Sequence, residues 1–158
     1  ETLGLWGAIH KRIWELTGDS SSLNTAIFAY EKGFYLKNDY YNGINLAYLF
    51  NERAAASQGQ EATADFVLAQ RTRRRVIALC EALLNSGRLL PDEYWIRATI
   101  AEAWLGLGEK AKSEERLNEA FAVKPEPAQW MRDSTQEQLQ KLAKLLQDAP
   151  GQKVGATA

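Results

Sequence analysis

The sequence predicts an all-α fold, an antiparallel helical-hairpin solenoid of about three irregular hairpins plus a C-terminal capping helix. Three observations carry that prediction. Apolar residues recur at helical spacings of three and four through most of the chain. No stretch shows the apolar and polar alternation between turn signals that marks a half-buried strand. The unit from Tyr94 to Pro125 is a complete helix-turn-helix whose apolar faces need neighbours to cover them. Length and composition agree: 158 residues with 46% hydrophobic content can bury a sizeable core, and 4 prolines with 11 glycines leave long stretches free for helices.

The first helix is expected over Thr2 to Leu16, with Leu3, Trp6, Ile9, Ile13 and Leu16 on its buried stripe and a break at Gly18 to Ser22. The second covers Leu23 to Leu36, where Ala26, Ile27, Tyr30, Gly33 and Phe34 mark the packed face and Gly33 takes a close-packing place. Asn38 and Asp39 punctuate the chain before a third helix, Tyr40 to Ala56, which carries Ile44, Ala47, Leu49 and Phe50. A turn at Gln58 to Gln60 leads to a long fourth helix, Glu61 to Asn85. Its apolar face holds Phe66, Ala69, Val76, Ile77, Cys80, Leu83 and Leu84, and Ser86 with Gly87 ends it.

Helices five and six form the Tyr94 to Pro125 unit. Trp95, Ala98, Ala101, Trp104 and Leu105 share a stripe on the first, with Asp92 as its N-cap, and Gly108 suits the left-handed position that ends a helix. Ala111, Leu117, Ala120, Phe121 and Val123 follow on the second until Pro125 stops it. Small Ala101 and Ala120 against large Trp104, Leu117 and Phe121 resemble the tetratricopeptide pattern, from which Lys110 and Ser113 depart. A seventh helix begins near Ser134, which forms a capping box with Glu137. Leu139, Leu142, Leu145 and Leu146 give it an apolar edge to cover the last pair.

One domain is therefore expected over 1–149, with the residues 150–158, PGQKVGATA, as a flexible tail or linker. The start at Glu1, with an amphipathic pattern already under way, suggests a piece of a longer protein. A formal net charge of -1 gives no bulk attraction to nucleic acid or anionic membrane. No apolar run is long enough for a membrane span. The lone Cys80 rules out an intramolecular disulfide and points to a reducing, cytoplasmic setting.

Candidate chemistry is sparse. One Cys and one His cannot build a zinc site, and no phosphate-cradling Gly loop or nucleophile-base set is present, so no catalytic, metal or cofactor residue is assigned. His10 reads as a structural or surface histidine and Cys80 as a small buried hydrophobe. Glu114, Glu115 and Glu119 alternate with Lys110, Lys112 and Arg116 as a solvated helix face does. Arg71, Arg74 and Arg75 share a face of the fourth helix and would either grip a phosphate or acidic partner or pair with acids of a neighbouring helix. Arg73 points elsewhere, its stem running along the apolar edge.

Binding is the better-supported class of function. In a hairpin solenoid the first helices line the concave surface, which places Lys11, Arg12, Tyr41, Tyr48, Asn51, Glu52, Trp95 and Glu102 as exposed partner-contacting candidates, while most tryptophans act as core spacers. The expected role is a non-catalytic interaction or scaffold module for a protein or peptide segment, with self-association open. A regulatory domain acting on a catalytic domain of the same polypeptide is the alternative, and a nucleic-acid-binding array centred on Arg71, Arg74 and Arg75 ranks third.

The stretches GAIHKR (Gly7 to Arg12), Gly33-Phe34 and YNGINLAYL (Tyr41 to Leu49) resemble the tetratricopeptide-like TRAFs-binding domain, found in apoptosis signal-regulating kinases and in bacterial proteins. The resemblance covers Glu1 to Pro125 and is nearer the bacterial members. It implies signalling through regulatory protein contacts, with no phosphoryl transfer of its own.

Overall fold

The computed structural model describes residues 2–147 and residue 149. The expected tail, 150–158, lies outside the described residues. Among the described residues the chain forms seven helices and no strand: α1 (Thr2–Thr17), α2 (Ser20–Lys37), α3 (Tyr40–Ala56), α4 (Gly59–Leu84), α5 (Glu93–Gly106), α6 (Lys110–Phe121) and α7 (Gln129–Gln147). They pair as hairpins α1/α2, α3/α4 and α5/α6, and α3 stacks on α2 as α5 stacks on α4. The all-α hairpin solenoid expected from the sequence is the observed fold.

Local chemistry fixes the boundaries. Gly18 turns with φ 67°, and the Asp19 carboxylate accepts hydrogen bonds from the Ser21 and Ser22 backbone N–H groups at 3.2 and 3.0 Å and from both serine hydroxyls at 2.7 Å. The serines thus form the first turn of α2, so the break shrinks to Gly18 and Asp19. Asn38 ends α2 in the left-handed region at φ 53°, its N–H bonded to Phe34 O, and Asp39 caps α3 through Asn42 N at 2.8 Å.

The hydrogen bonds from Ser21 and Ser22 hold the Asp19 carboxyl down at about 2. A depressed folded value means that the charged cap stabilises the fold above the unfolded value of about 4 and that this contribution disappears as pH falls through the folded value. Asp19→Asn keeps an acceptor at the cap without a charge. Its urea midpoint is expected to fall less than that of the wild type between about pH 4 and about pH 2; equal losses would remove the cap from the acid response.

Several boundaries differ from expectation. α4 starts at Gly59, where φ is 62°, and α6 stops at Phe121, so Val123 lies beyond it and Pro125 is not what ends it. α7 begins at Gln129, which leaves Ser134 inside the helix as an exposed residue and removes the expected capping box with Glu137. The carboxylate of Asp92 does not cap α5; it accepts from Tyr40 Oη at 2.5 Å, joining the α5 N-terminus to α3. Gly108 takes the left-handed conformation expected of it, with φ 84°.

The largest correction concerns α1. Leu5, Trp6, Ile9, Ile13 and Leu16 are exposed, and the buried positions of α1 are Gly4 and Gly7. A Cβ on Gly7 would lie 2.9 Å from the Tyr30 ring, so α1 approaches α2 backbone-first and turns its apolar stripe outward. No neighbouring helix covers that outward face among the described residues. The contact of Gly33 follows the sequence reading in kind: a Cβ there would meet Asn42 of α3 at 2.8 Å.

The main core runs through α2 to α5 and includes Tyr30, Phe34, Leu46, Leu49, Val76, Cys80, Ile96 and Ile100, with Leu142 of α7 joining it. Tyr94, Ala98 and Ala120 make a second cluster with Trp95, Phe121 and Met131. Serine in place of the usual alanine at position 113 has a use, because its buried Oγ donates to Ala101 O at 2.8 Å across the α5/α6 hairpin. Three of the five tryptophans serve the core as expected, Trp14 and Trp104 packing half-buried against the main cluster and Trp95 against the second, while Trp6 and Trp130 are exposed.

Candidate partner-binding groove

The first helices α1, α3 and α5 supply the polar and aromatic side chains of one surface, and α7 lies over part of it. α7 packs on α5 and α3. Its first turns meet the α5 N-terminus, where Tyr94 Oη is 3.0 Å from Met131 O and 2.8 Å from Thr135 Oγ1. Further along, Gln138 Nε2 donates to Glu102 Oε1 at 3.0 Å, and Leu142 is wholly buried. Burying that one leucine contributes roughly 1.5–3 kcal/mol. α7 therefore closes the array from the groove side.

Between α3, α5 and α7 remains an open cavity of about 620 Å³. Tyr40, Tyr41, Ile44 and Asn45 line it from α3, Trp95, Ala98, Thr99 and Glu102 from α5, and Ser134, Gln138, Leu139 and Lys141 from α7. Aromatic walls with a few convergent polar groups are what a binding pocket requires. A smaller cleft beside it is lined by Arg12, Trp14, Glu15, Tyr48, Glu52 and Lys141.

The polar groups are linked across helices. Lys11 Nζ donates to Asn45 Oδ1 at 3.0 Å and lies 4.8 Å from the centre of the Tyr48 ring. Glu52 accepts from Tyr48 Oη at 2.8 Å and from Trp14 Nε1 at 3.3 Å. Burial pulls the Lys11 ammonium below its ordinary range, against the opposing fields of Glu102 and Glu15. Burial likewise raises Glu102, while Gln138, Lys11 and Arg73 pull it back. Burial thus works against both charges, and their neighbours offset it only in part.

Six of the eight groove candidates are accessible. Arg12 and Tyr41 are exposed, and Lys11, Glu52, Trp95 and Glu102 are half-buried. The other two are not: Tyr48 and Asn51 are each only 4% exposed. Tyr48 is a wedge between α1 and α3 that offers a partner little surface, and Asn51 is interior with its Oδ1 unpartnered. The cavity joins Tyr41, Trp95 and Glu102; Arg12 and Glu52 belong to the neighbouring cleft.

The basic cluster lies elsewhere, on α4. Arg71 and Arg74 are exposed, but Arg75 Nη2 donates to Asn38 Oδ1 at 2.7 Å, and the guanidinium lies 5.0 and 5.3 Å from the Phe34 and Tyr35 ring centres. Arg75 is engaged by an amide and two rings, in place of the acids expected to pair with it. Arg73 departs furthest from expectation. Its stem does not run outward; the side chain is 0% exposed, and all three guanidinium nitrogens lack a hydrogen-bond partner among the described residues. Burial pulls it down to about 10, with Glu102 opposing.

Arg73, Gln138 and Lys141 are the groove-related residues that sequence reasoning missed. Only Arg73 carried a signal, since it alone of the four arginines falls on the apolar side of α4. Cys80 is fully buried as expected, and burial pushes its thiol up to about 12, away from nucleophilic use. His10 is half-buried with its ring edge-on to Trp6 at 5.6 Å.

The family model described as Tetratricopeptide Repeats-Sensor matches residues 1–50, the span of α1, α2 and most of α3. The array is tetratricopeptide-like. Neither a curated protein nor a solved structure matches the chain. Tetratricopeptide-type repeats mediate protein-protein interaction, and this tetratricopeptide-like array contains no helix among the described residues that is long and apolar enough to cross a membrane. The matched span, just under a third of the chain, contains Lys11, Arg12, Tyr41 and Tyr48 and the glycines of α1.

Proposed function

We propose that the chain is a non-catalytic interaction module that binds a segment of a protein partner in the groove of α1, α3 and α5. The observation that carries this reading is the cavity walled by Tyr41, Trp95 and Glu102, where exposed aromatic area adjoins a charged floor. Lys11, Arg12 and Glu52 extend the contact surface toward α1. Tyr48 and Asn51 hold its shape from within.

The test is capture of protein partners by the wild type, by Tyr41→Ala with Trp95→Ala, and by Arg71→Ala as a control on the opposite helix set. Loss of aromatic anchors is expected to weaken capture by about tenfold or more, with Arg71→Ala unchanged. Helicity by circular dichroism confirms that the double variant is folded. Undiminished capture by it would remove the groove from the binding surface.

The word "Sensor" in the matched description, with the resemblance of GAIHKR and YNGINLAYL to the TRAFs-binding domain, supports a second reading in which groove occupancy regulates a catalytic domain of the same polypeptide.

A further inference from the structure

In the stacked part of the array, each first helix rests on the second helix of the hairpin before it: α3 on α2, and α5 on α4. A fourth hairpin would continue by placing its first helix on α6. α7 touches α6 only at its first turn, through Met131 and Arg132 at Phe121, and otherwise packs on α5 and α3, which puts it where a ligand of the groove belongs. Its attachments, Thr135 to Tyr94, Gln138 to Glu102 and the buried Leu142, recur at spacings of three and four. That is the stripe by which an amphipathic helix docks in a groove.

The fit is incomplete. Thr135 and Leu142 are the only buried residues of α7's 19 among those described. The cavity survives beside the small Ser134, opposite Tyr41 and Trp95. The link from α6, residues 122–128, is exposed apart from Val123 and Pro127. Polar contact is matched more closely than shape, since Gln138 donates to Glu102, and Lys141, paired with Glu137 of its own helix at 2.8 Å, lines the cleft with Glu15 and Glu52.

We infer that the surface of α3 and α5 is a receptor for an amphipathic helix, that α7 is its resident occupant, and that the partner helix displaces α7. The partner carries a large aromatic side chain at the place of Ser134, an amide or cation one turn later at the place of Gln138, and a leucine at the place of Leu142. The aromatic group would fill the cavity that α7 leaves. This rests on the groove reading above and adds to it the class of partner and the competition that controls access.

Fluorescence anisotropy on the full chain decides it, with a labelled peptide of residues 129–147 as probe and a second peptide carrying Ser134→Trp. Three results are expected. Ser134→Trp in the peptide tightens binding by about tenfold, because a buried aromatic group replaces a void. Ser134→Trp in the chain weakens both peptides by about tenfold, because the resident helix gains the same contact and the open state becomes rarer. Leu142→Ala in the chain tightens both peptides by about tenfold or more.

One substitution with opposite effects in chain and peptide is the signature. If Leu142→Ala unfolds the chain, the Ser134→Trp pair still decides. Failure of both peptides to bind, or the same direction of effect in chain and peptide, overturns the inference. If that happens while Tyr41→Ala with Trp95→Ala still abolishes partner capture, the groove reading stands and the helical partner is wrong. If neither experiment touches the groove, both readings fall. Dimers formed by exchange of α7 between copies, seen by sedimentation, would also overturn displacement by a partner.

Discussion

Gly106→Ala is expected to destabilise the fold by about 1–3 kcal/mol, the usual range for overpacking a filled interior. An added Cβ would lie 2.0 Å from Arg73 Nε, 2.3 Å from its Cζ and 2.5 Å from its Cδ. Elsewhere a long side chain could swing aside. Arg73 is wholly enclosed and has no room to move. The loss is net of the roughly 1 kcal/mol that alanine gains over glycine inside a helix.

The cycle with Arg73→Ala isolates the contact. In that background the collision is gone and the helix-propensity gain remains, so Gly106→Ala should become neutral or stabilising by up to about 1 kcal/mol. Urea unfolding of the four chains measures both steps. An equal cost of Gly106→Ala in the two backgrounds would mean that something other than Arg73 fills the space. The arginine itself poses a physical question, because a buried guanidinium without hydrogen bonds is costly. Glu102 is the acid that favours its charge, and Lys11 favours the charge of Glu102 in turn. Removal of Arg73 thus also alters the electrostatics of the groove floor.

Helical periodicity was legible throughout because each hairpin buries one stripe per helix, and Leu23, Ala26, Ile27, Tyr30 and Phe34 of α2 are buried as that stripe demands. The same rule failed on α1, since periodicity reports an apolar face and says nothing of whether a neighbour covers it. Gly4 and Gly7 carried the contact, and glycine is silent in a hydrophobic pattern. Tyr48 and Asn51 were misplaced for a related reason. They lie on a first helix as expected, but Lys11 of α1 lies over the Tyr48 ring and Asn51 faces the interior of the array.

The position of α7 was the least legible feature. Its leucines at 139, 142, 145 and 146 define an edge, and an edge fits a capping site on α6 as well as a place on α5 and α3. Polar partners made the choice: Thr135 finds Tyr94 and Gln138 finds Glu102. Such pairs are invisible to a hydrophobic pattern. The buried Arg73 and the departure of Ser113 from alanine became intelligible only once their cross-helix neighbours were in place.

The second large effect concerns the attachment of α7. Leu142 is its single fully enclosed apolar side chain, so Leu142→Ala should cost about 2–5 kcal/mol, the range for truncating a buried leucine. The cost should fall on α7 alone. α3, α4 and α5 hold one another through Leu46, Leu49, Val76, Ile96 and Ile100, a cluster that Leu142 joins from α7. Native-state hydrogen exchange can separate the two cases, because local opening and global unfolding have different free energies. In the wild type, α7 amides should exchange through an opening that leaves α3 protected. In Leu142→Ala their exchange should rise by roughly thirtyfold or more, following tenfold per 1.4 kcal/mol, while α3 amides keep most of their protection. Equal acceleration in α3 and α7 would show that α7 is an integral part of one cooperative core, and a helix bound in that way could not yield its place to another.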